Sequence, residues 1–454
     1  MVTSTWNDDT EEGHNYYDNC ATSSFQDGYR ILSDQYSSKS RIPAGWTRLR
    51  WLTYSKMCKI FICFFGLSIL AVYALLFTSG SDGILVNVIH SNYFPASGWS
   101  HAGDTHRGNN LESMPALHRA KPKGIKVVAL IFYGRPDRVE ILDCYVKRNL
   151  AENGGYLDEV RWIANTEDTD KLRFLDEYII PSTPLYKKIS LAKLGFGSMW
   201  DSAVENNTMY IKIDDDVVWF AEDAIPELVH SKMTAGEKHY VVSANIINNP
   251  LMGWVHYHAG GAVHPYLPEL EQPVNKTPPS SWRASSQPQW SGPDDYEYSL
   301  ENAPPYSNHR WLRLANNEML RTPASKIQYD PFGTAWSSWA IAAQQHASLL
   351  ENLENDQLEL YKTTSQMWDL GPERMSINFM ALWGEEIRTQ LPIPEGDDEH
   401  YFTVDVPMKL KKTTAVNTHA LAAHFAFFSQ VENLEQTDLL ARYKAYADEF
   451  VCKR

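Results

Sequence analysis

Apolar and polar positions along this chain fall into three regimes. The first forty residues are rich in Ser, Thr, Asp, Asn and Tyr with no apolar period, which predicts a flexible tail. Residues 60–77 (IFICFFGLSILAVYALLF) carry no charge, and only Gly66 and Ser68 interrupt them. A buried core helix would show polar residues at helical spacing, so this run predicts one membrane crossing. It starts too deep for an ordinary cleaved signal peptide. Beyond it, 79–123 is loose in Gly, Ser, His and Asn and reads as a stem.

From 124 onward short apolar runs alternate with helical periodicity. Residues 126–133 (KVVALIFY) predict a buried strand ending at the turn Gly134-Arg135-Pro136. Val139, Leu142, Val146 and Leu150 predict a helix over 138–150, closed by Asn153-Gly154-Gly155. Strands over 159–164, 209–213 and 240–244 and helices over 171–179, 198–204 and 222–232 follow. This alternation predicts an α/β fold with a mostly parallel central sheet flanked by helices, whose ligands bind beyond the carboxyl ends of strands. The Pro-, Ser-, Trp- and Tyr-rich stretch 265–313 breaks the rhythm and predicts an inserted lid or acceptor-binding segment. Trp282, Trp290 and Trp311 there either stack on sugar rings or pin the loop to the body. Helix resumes over 334–350, an apolar stretch over 375–382 ends at Gly384-Glu385-Glu386, 401–404 predicts a strand, and 439–450 a terminal amphipathic helix.

Charge assigns sides to the membrane. Arg41, Arg48, Arg50, Lys56 and Lys59 precede the apolar run, and no Lys or Arg follows until Arg107. The expectation is a single-pass type II protein: cytosolic tail 1–57, signal-anchor 58–79, luminal stem 80–123 and catalytic domain 124–454, in the Golgi or ER membrane. Asn206 and Asn275 head glycosylation triplets. Net charge is -15 and no basic stripe occurs, which disfavours nucleic acid. Of five cysteines only Cys144 and Cys452 fall in the folded region, so at most one bridge forms there.

The strongest chemical feature is Ile211-Lys212-Ile213-Asp214-Asp215-Asp216-Val217-Val218-Trp219. Adjacent carboxylates at a strand end repel one another unless something positive joins them. On extended backbone Asp214 and Asp216 project to one side and Asp215 to the other, offering two hard oxygen donors to Mn²⁺ or Mg²⁺.

With that triplet, the strand 126–133, the helix 142–155 and the strand 157–166, the chain resembles the glycosyltransferases of the GT-A fold, whose DXD motif closes a nucleotide-binding strand. The resemblance spans about 126–430, leaving the 265–313 insertion outside. It implies a nucleotide-sugar donor, a glycan, glycoprotein or glycolipid acceptor, and Mn²⁺ (or Mg²⁺) as cofactor. It places Asp214 at the ribose or the metal, Asp216 on the metal, Asp215 at the nucleotide, and Gly134 and Arg135 where nucleotide contacts fall. It also implies a late histidine ligand, for which His424 stands alone among apolar neighbours, and a general base at Glu386 or Glu385 should the reaction invert configuration. His256 and His258, at i and i+2, suit a strand face and a donor or acceptor contact. The rival readings are a luminal metal-dependent phosphoester hydrolase and an inactive lectin-like membrane protein. P-loop, dinucleotide and serine-hydrolase motifs are absent from the sequence.

Overall fold

A computed structural model describes residues 120–272 and 281–452. The expected tail and membrane segment, and the stem up to 119, lie outside the described residues. No described helix is long and apolar enough to cross a membrane.

The core is a nine-stranded sheet. Strand β1 (Lys126–Tyr133) pairs in parallel with β2 (Glu159–Ala164) on one side and with β4 (Thr208–Asp214) on the other, and β3 (Tyr186–Ser190) extends β2. Strand β5 (Val217–Phe220) follows β4 at once, and β6 (His239–Ile247) comes next. A small antiparallel pair, β7 (Tyr266–Pro268) and β8 (Trp311–Arg313), bounds the insertion. Strands β9 (Met367–Gly371), β10 (Phe379–Trp383) and β11 (Thr413–His424) complete the sheet, in the order β3-β2-β1-β4-β10-β6-β11-β5 with β9 beside β11. Strands β5, β9 and β10 run against the others, so the sheet is mostly parallel.

Strand β1 shows why the chain takes this form. Val127, Ala129, Ile131 and Tyr133 enter one apolar cluster while Val128 and Leu130 enter the cluster on the opposite face. A run apolar at every position suits a central strand covered on both sides. The Val, Ile and Leu side chains among them each contribute about 1.5–3 kcal/mol on burial. One face is covered by helices α1 (Pro136–Arg148), α2 (Ala224–Ala235), α3 (Trp339–Glu354) and α4 (Leu439–Phe450). The other carries Trp200, Tyr240 and Phe402. Helix α1 opens on Pro136 and closes with Lys147 and Arg148, agreeing with its dipole. The turn after it holds Gly154 at φ 87°, a left-handed position that favours glycine.

The order of strands forces a curl. Strands β4 and β5 are joined by Asp215 and Asp216 alone, yet four pairing steps separate them along the sheet. Four flat steps would span about 19 Å, whereas the chain from Asp214 to Val217 reaches at most about 11 Å. Register shifts in β11 at Asn417/Leu421 and Ala423/His424 mark where the ladder bends.

Several local expectations are corrected. Residues 198–204 form only a short 3-10 turn, Ser198–Trp200, and the 401–404 stretch is helical rather than a strand. Residues around His256 and His258 continue a helix, so the two do not share a strand face. His256 is buried with Nε2 2.7 Å from Asn245 Oδ1, while His258 stacks on Trp254. In the insertion, Trp282 is buried against Tyr446 and Phe450 and donates to Glu449, and Trp311 is fully buried. Both tryptophans pin the segment to the body.

Candidate functional site

The parallel neighbours of β1 lie on opposite sides of it, and in sheets of this topology ligands bind beyond the carboxyl ends of the strands at such a point, here the ends of β1 and β4. Gly134 and Arg135 leave the first strand there, and the aspartates leave the second. Asp215 and Asp216 form a two-residue turn rather than extended backbone. The expected alternation of side chains therefore does not hold. Asp215 and Asp216 are both buried and both face Arg135, while Asp214 is held elsewhere by Lys212 and by Asn378 Nδ2 at 3.0 Å.

Asp215 accepts from the Gly134 N–H at 2.5 Å and from Arg135 Nη1 at 2.6 Å. Gly134, Arg135 and Asp215 thus form an internal brace between β1 and β4. Burial pushes the Asp215 carboxyl up, against the pull of Arg135. Arg135, beside Asp216 and Asp215, is driven further above its already high range.

Asp216 differs. Its Oδ2 lies 3.3 Å from His424 Nε2 and 3.3 Å from Arg135 Nη1. Burial opposes its charge, but His424 and Arg135 outweigh that and hold the carboxyl well below the usual range. Its other oxygen, Oδ1, and His424 Nδ1 are buried with no hydrogen-bond partner among the described residues. An unpaired buried oxygen on an ionised carboxylate costs stability unless something positive reaches it. The curl of the sheet produces this meeting: Val217 pairs with His424, and the Phe425 N–H donates to the Asp216 carbonyl at 2.8 Å.

The donor set can be tested against a divalent cation. Two ligands about 2.1 Å from one ion at a right angle stand about 3 Å apart, close to the 3.3 Å between Asp216 Oδ2 and His424 Nε2. Among the described residues no three His, Cys, Asp or Glu side chains form a closed cage. The residues therefore fit an ion that takes one or two protein ligands and completes its shell with water and phosphate oxygens, as Mg²⁺-type sites do. Asp214 is not brought to the Asp216–His424 pair by any contact among the described residues.

Glu385 and Glu386 are not brought to the aspartates. Strand β10 runs antiparallel to β4, with Phe379 beside Ile213 and Trp383 beside Met209. The glutamates that follow Trp383 lie at the opposite end of the sheet, about 15 Å or more away. Glu386 bonds Lys232 at 2.7 Å and Lys412 at 2.8 Å. Burial lowers the Lys232 amine to about 8 despite Glu386.

The carboxylates beside Asp214 are instead Asp398 and Glu399, which the sequence reading missed. Both are raised, first by burial, and both feel Asp214 and Lys212; Asp398 reaches about 7. Asp398 Oδ2 accepts from Trp200 Nε1 at 3.2 Å. Their signal was the acidic run Asp397-Asp398-Glu399, indistinguishable in isolation from a solvated turn. Two depressions of about 480 and 490 Å³ open elsewhere, and neither is lined by the triplet, Arg135 or His424.

No protein-family model and no curated protein matches the chain. Among solved structures, it is similar to glucosyl-3-phosphoglycerate synthase from Mycobacterium tuberculosis in complex with Mn²⁺, UDP-glucose and phosphoglyceric acid. Identity is 15%, the TM-score 0.23, and the match covers 33% of this chain and 50% of that one. It is also similar to 4-diphosphocytidyl-2C-methyl-D-erythritol synthase from Anaerococcus prevotii, at 16% identity and a TM-score of 0.19, covering 27% of this chain and 55% of that one. The chain spans about half the length of each.

Proposed function

We propose that this chain is a divalent-metal-dependent glycosyltransferase that moves a sugar from a nucleotide-diphosphate donor to an acceptor hydroxyl. The observation that carries the reading is the Asp216–His424 pair, with its two unpartnered buried atoms, beyond the carboxyl end of β4. Mn²⁺ or Mg²⁺ bound by Asp216 and His424 would neutralise the donor diphosphate and favour its departure. Arg135, braced by Asp215, stands where it can turn one edge toward the same phosphates. As the bond from the sugar carbon to the diphosphate breaks, the acceptor oxygen bonds that carbon and its proton passes to a carboxylate. Asp398 and Glu399, buried carboxylates electrostatically coupled to Asp214, would be the groups to receive it.

The reading extends to a location in the secretory pathway. Cys144 on α1 and Cys452 just beyond α4 are joined in a disulfide, and such bonds persist in oxidising compartments. We place the domain in the Golgi or ER lumen on this ground together with the apolar run 60–77.

The test is a panel of nucleotide sugars added to the full-length chain with and without Mn²⁺, reading thermal shift and then transfer of labelled sugar. Donor stabilisation that requires Mn²⁺ and is lost in Asp216→Ala is the expected result. Release of phosphate without sugar transfer would favour a hydrolase, and metal-independent sugar binding a lectin.

A further inference from the structure

A circuit of contacts starts and ends on the aspartates, and the transfer reading leaves most of it without a role. Asn378 holds Asp214, and the N–H of its neighbour Ile377 donates to Glu399 Oε1 at 3.3 Å. Glu399 pairs with Arg374 at 2.6 Å, and the Arg374 guanidinium lies 4.4 Å from the centre of the Phe332 ring. Phe332 meets Trp336 edge-on at 5.8 Å, and the Trp336 carbonyl accepts from Ser429 Oγ at 2.7 Å. Phe428 precedes Ser429, and the Phe427 ring lies 4.5 Å from His424, which returns to Asp216.

Two aromatic side chains of this rim are exposed: Phe428 is 56% and Phe332 46% exposed. An exposed apolar patch rimmed by polar residues, unlike a single scattered ring, marks a ligand or partner surface. On the same arc Asp397 and Glu399 are fixed by Arg374. Flat apolar faces next to immobilised acceptors suit a pyranose, whose C–H face stacks on a ring while its hydroxyls donate to carboxylates. Charge narrows the class. Asp214, Asp397 and Glu399 repel an anionic acceptor, and Arg374 is already bonded by two carboxylates. An alkyl chain would need an unbroken apolar strip, which Arg374 and its partners interrupt.

We propose that Phe332, Trp336 and Phe428, with Asp397 and Glu399, form a subsite for an uncharged pyranose unit of the acceptor. This rests on the transfer reading, and the experiment separates the two. Saturation-transfer NMR on the full-length chain uses the methyl glycosides of mannose, galactose and N-acetylglucosamine, with glucose 6-phosphate as the anionic comparison. UDP and GDP with Mn²⁺ probe the donor side in parallel. The expected result is that a methyl glycoside binds, that Phe428→Ala and Phe332→Ala each weaken it about tenfold, and that nucleotide binding stays within about twofold. The circular-dichroism spectrum and Tm of each variant, matched to the parent chain, check that the fold is kept. No glycoside binding to the parent chain, unchanged binding in both variants, or preference for glucose 6-phosphate overturns the subsite. Glycoside binding that depends on the rings while neither nucleotide binds keeps the sugar site and removes the transferase.

Discussion

Asp216 and His424 meet at 3.3 Å although 208 positions separate them in the chain, each with its second polar atom buried and without a partner among the described residues. Replacing either should remove the Mn²⁺-dependent rise in Tm that a nucleotide diphosphate produces, with turnover falling about 100-fold or more for Asp216→Ala. Asp214→Asn should act more mildly on the metal, because Lys212 and Asn378 already engage that side chain. Equal metal binding in Asp216→Ala and the parent chain would remove this pair from the mechanism.

Asp398 carries a pH signature. Burial first, then Glu399 and Asp214, raise its carboxyl from 3.8 to about 7 against the pull of Lys212 and the Trp200 bond. The fold therefore favours the protonated form. The stability this contributes is full below pH 4 and is lost as pH rises through 7. Asp398→Asn should flatten that decline between pH 4 and 7, by a few kcal/mol at most at about 1.4 kcal/mol per unit. The same variant should lower kcat and erase the acidic limb of its pH profile. A stabilised variant with undiminished kcat would leave Asp398 a structural group.

Glu386 belongs to a buried ion pair with Lys232, which is wholly shielded from solvent. Glu386→Gln leaves that amine without its counter-charge and should cost about 3–5 kcal/mol, read as a fall in Tm. Turnover per folded molecule should hold, since the pair sits at the far end of the sheet. A collapse of kcat without loss of Tm would return Glu386 to the chemistry.

The Cys144–Cys452 bridge closes a span of 308 residues and ties α4 to α1. Reduction, or Cys144→Ser with Cys452→Ser, should lower stability by about 2–5 kcal/mol. Thiol labelling of the full-length chain, purified under native conditions, should detect no free thiol at either position. Facile labelling of both would argue for a reducing compartment.

The sequence alone was enough for what depends on neighbours along the chain. Strand β2 was legible to the residue and β1 as well, because a run of buried apolar side chains reads the same locally as in the sheet. The aspartate triplet and its place after a strand were legible too, while His424 was singled out only through the family resemblance. Contacts between distant segments were not. Whether β10 runs with or against β4 is set by pairing of residues such as Phe379 and Ile213, far apart in the chain, and that polarity sends Glu385 and Glu386 away from the site. The curl that lets β5 reach β11 turns Asp215 and Asp216 inward and gives Asp216 its histidine. Local sterics set the period of a strand; only the closing of the sheet decides which carboxylate faces which partner.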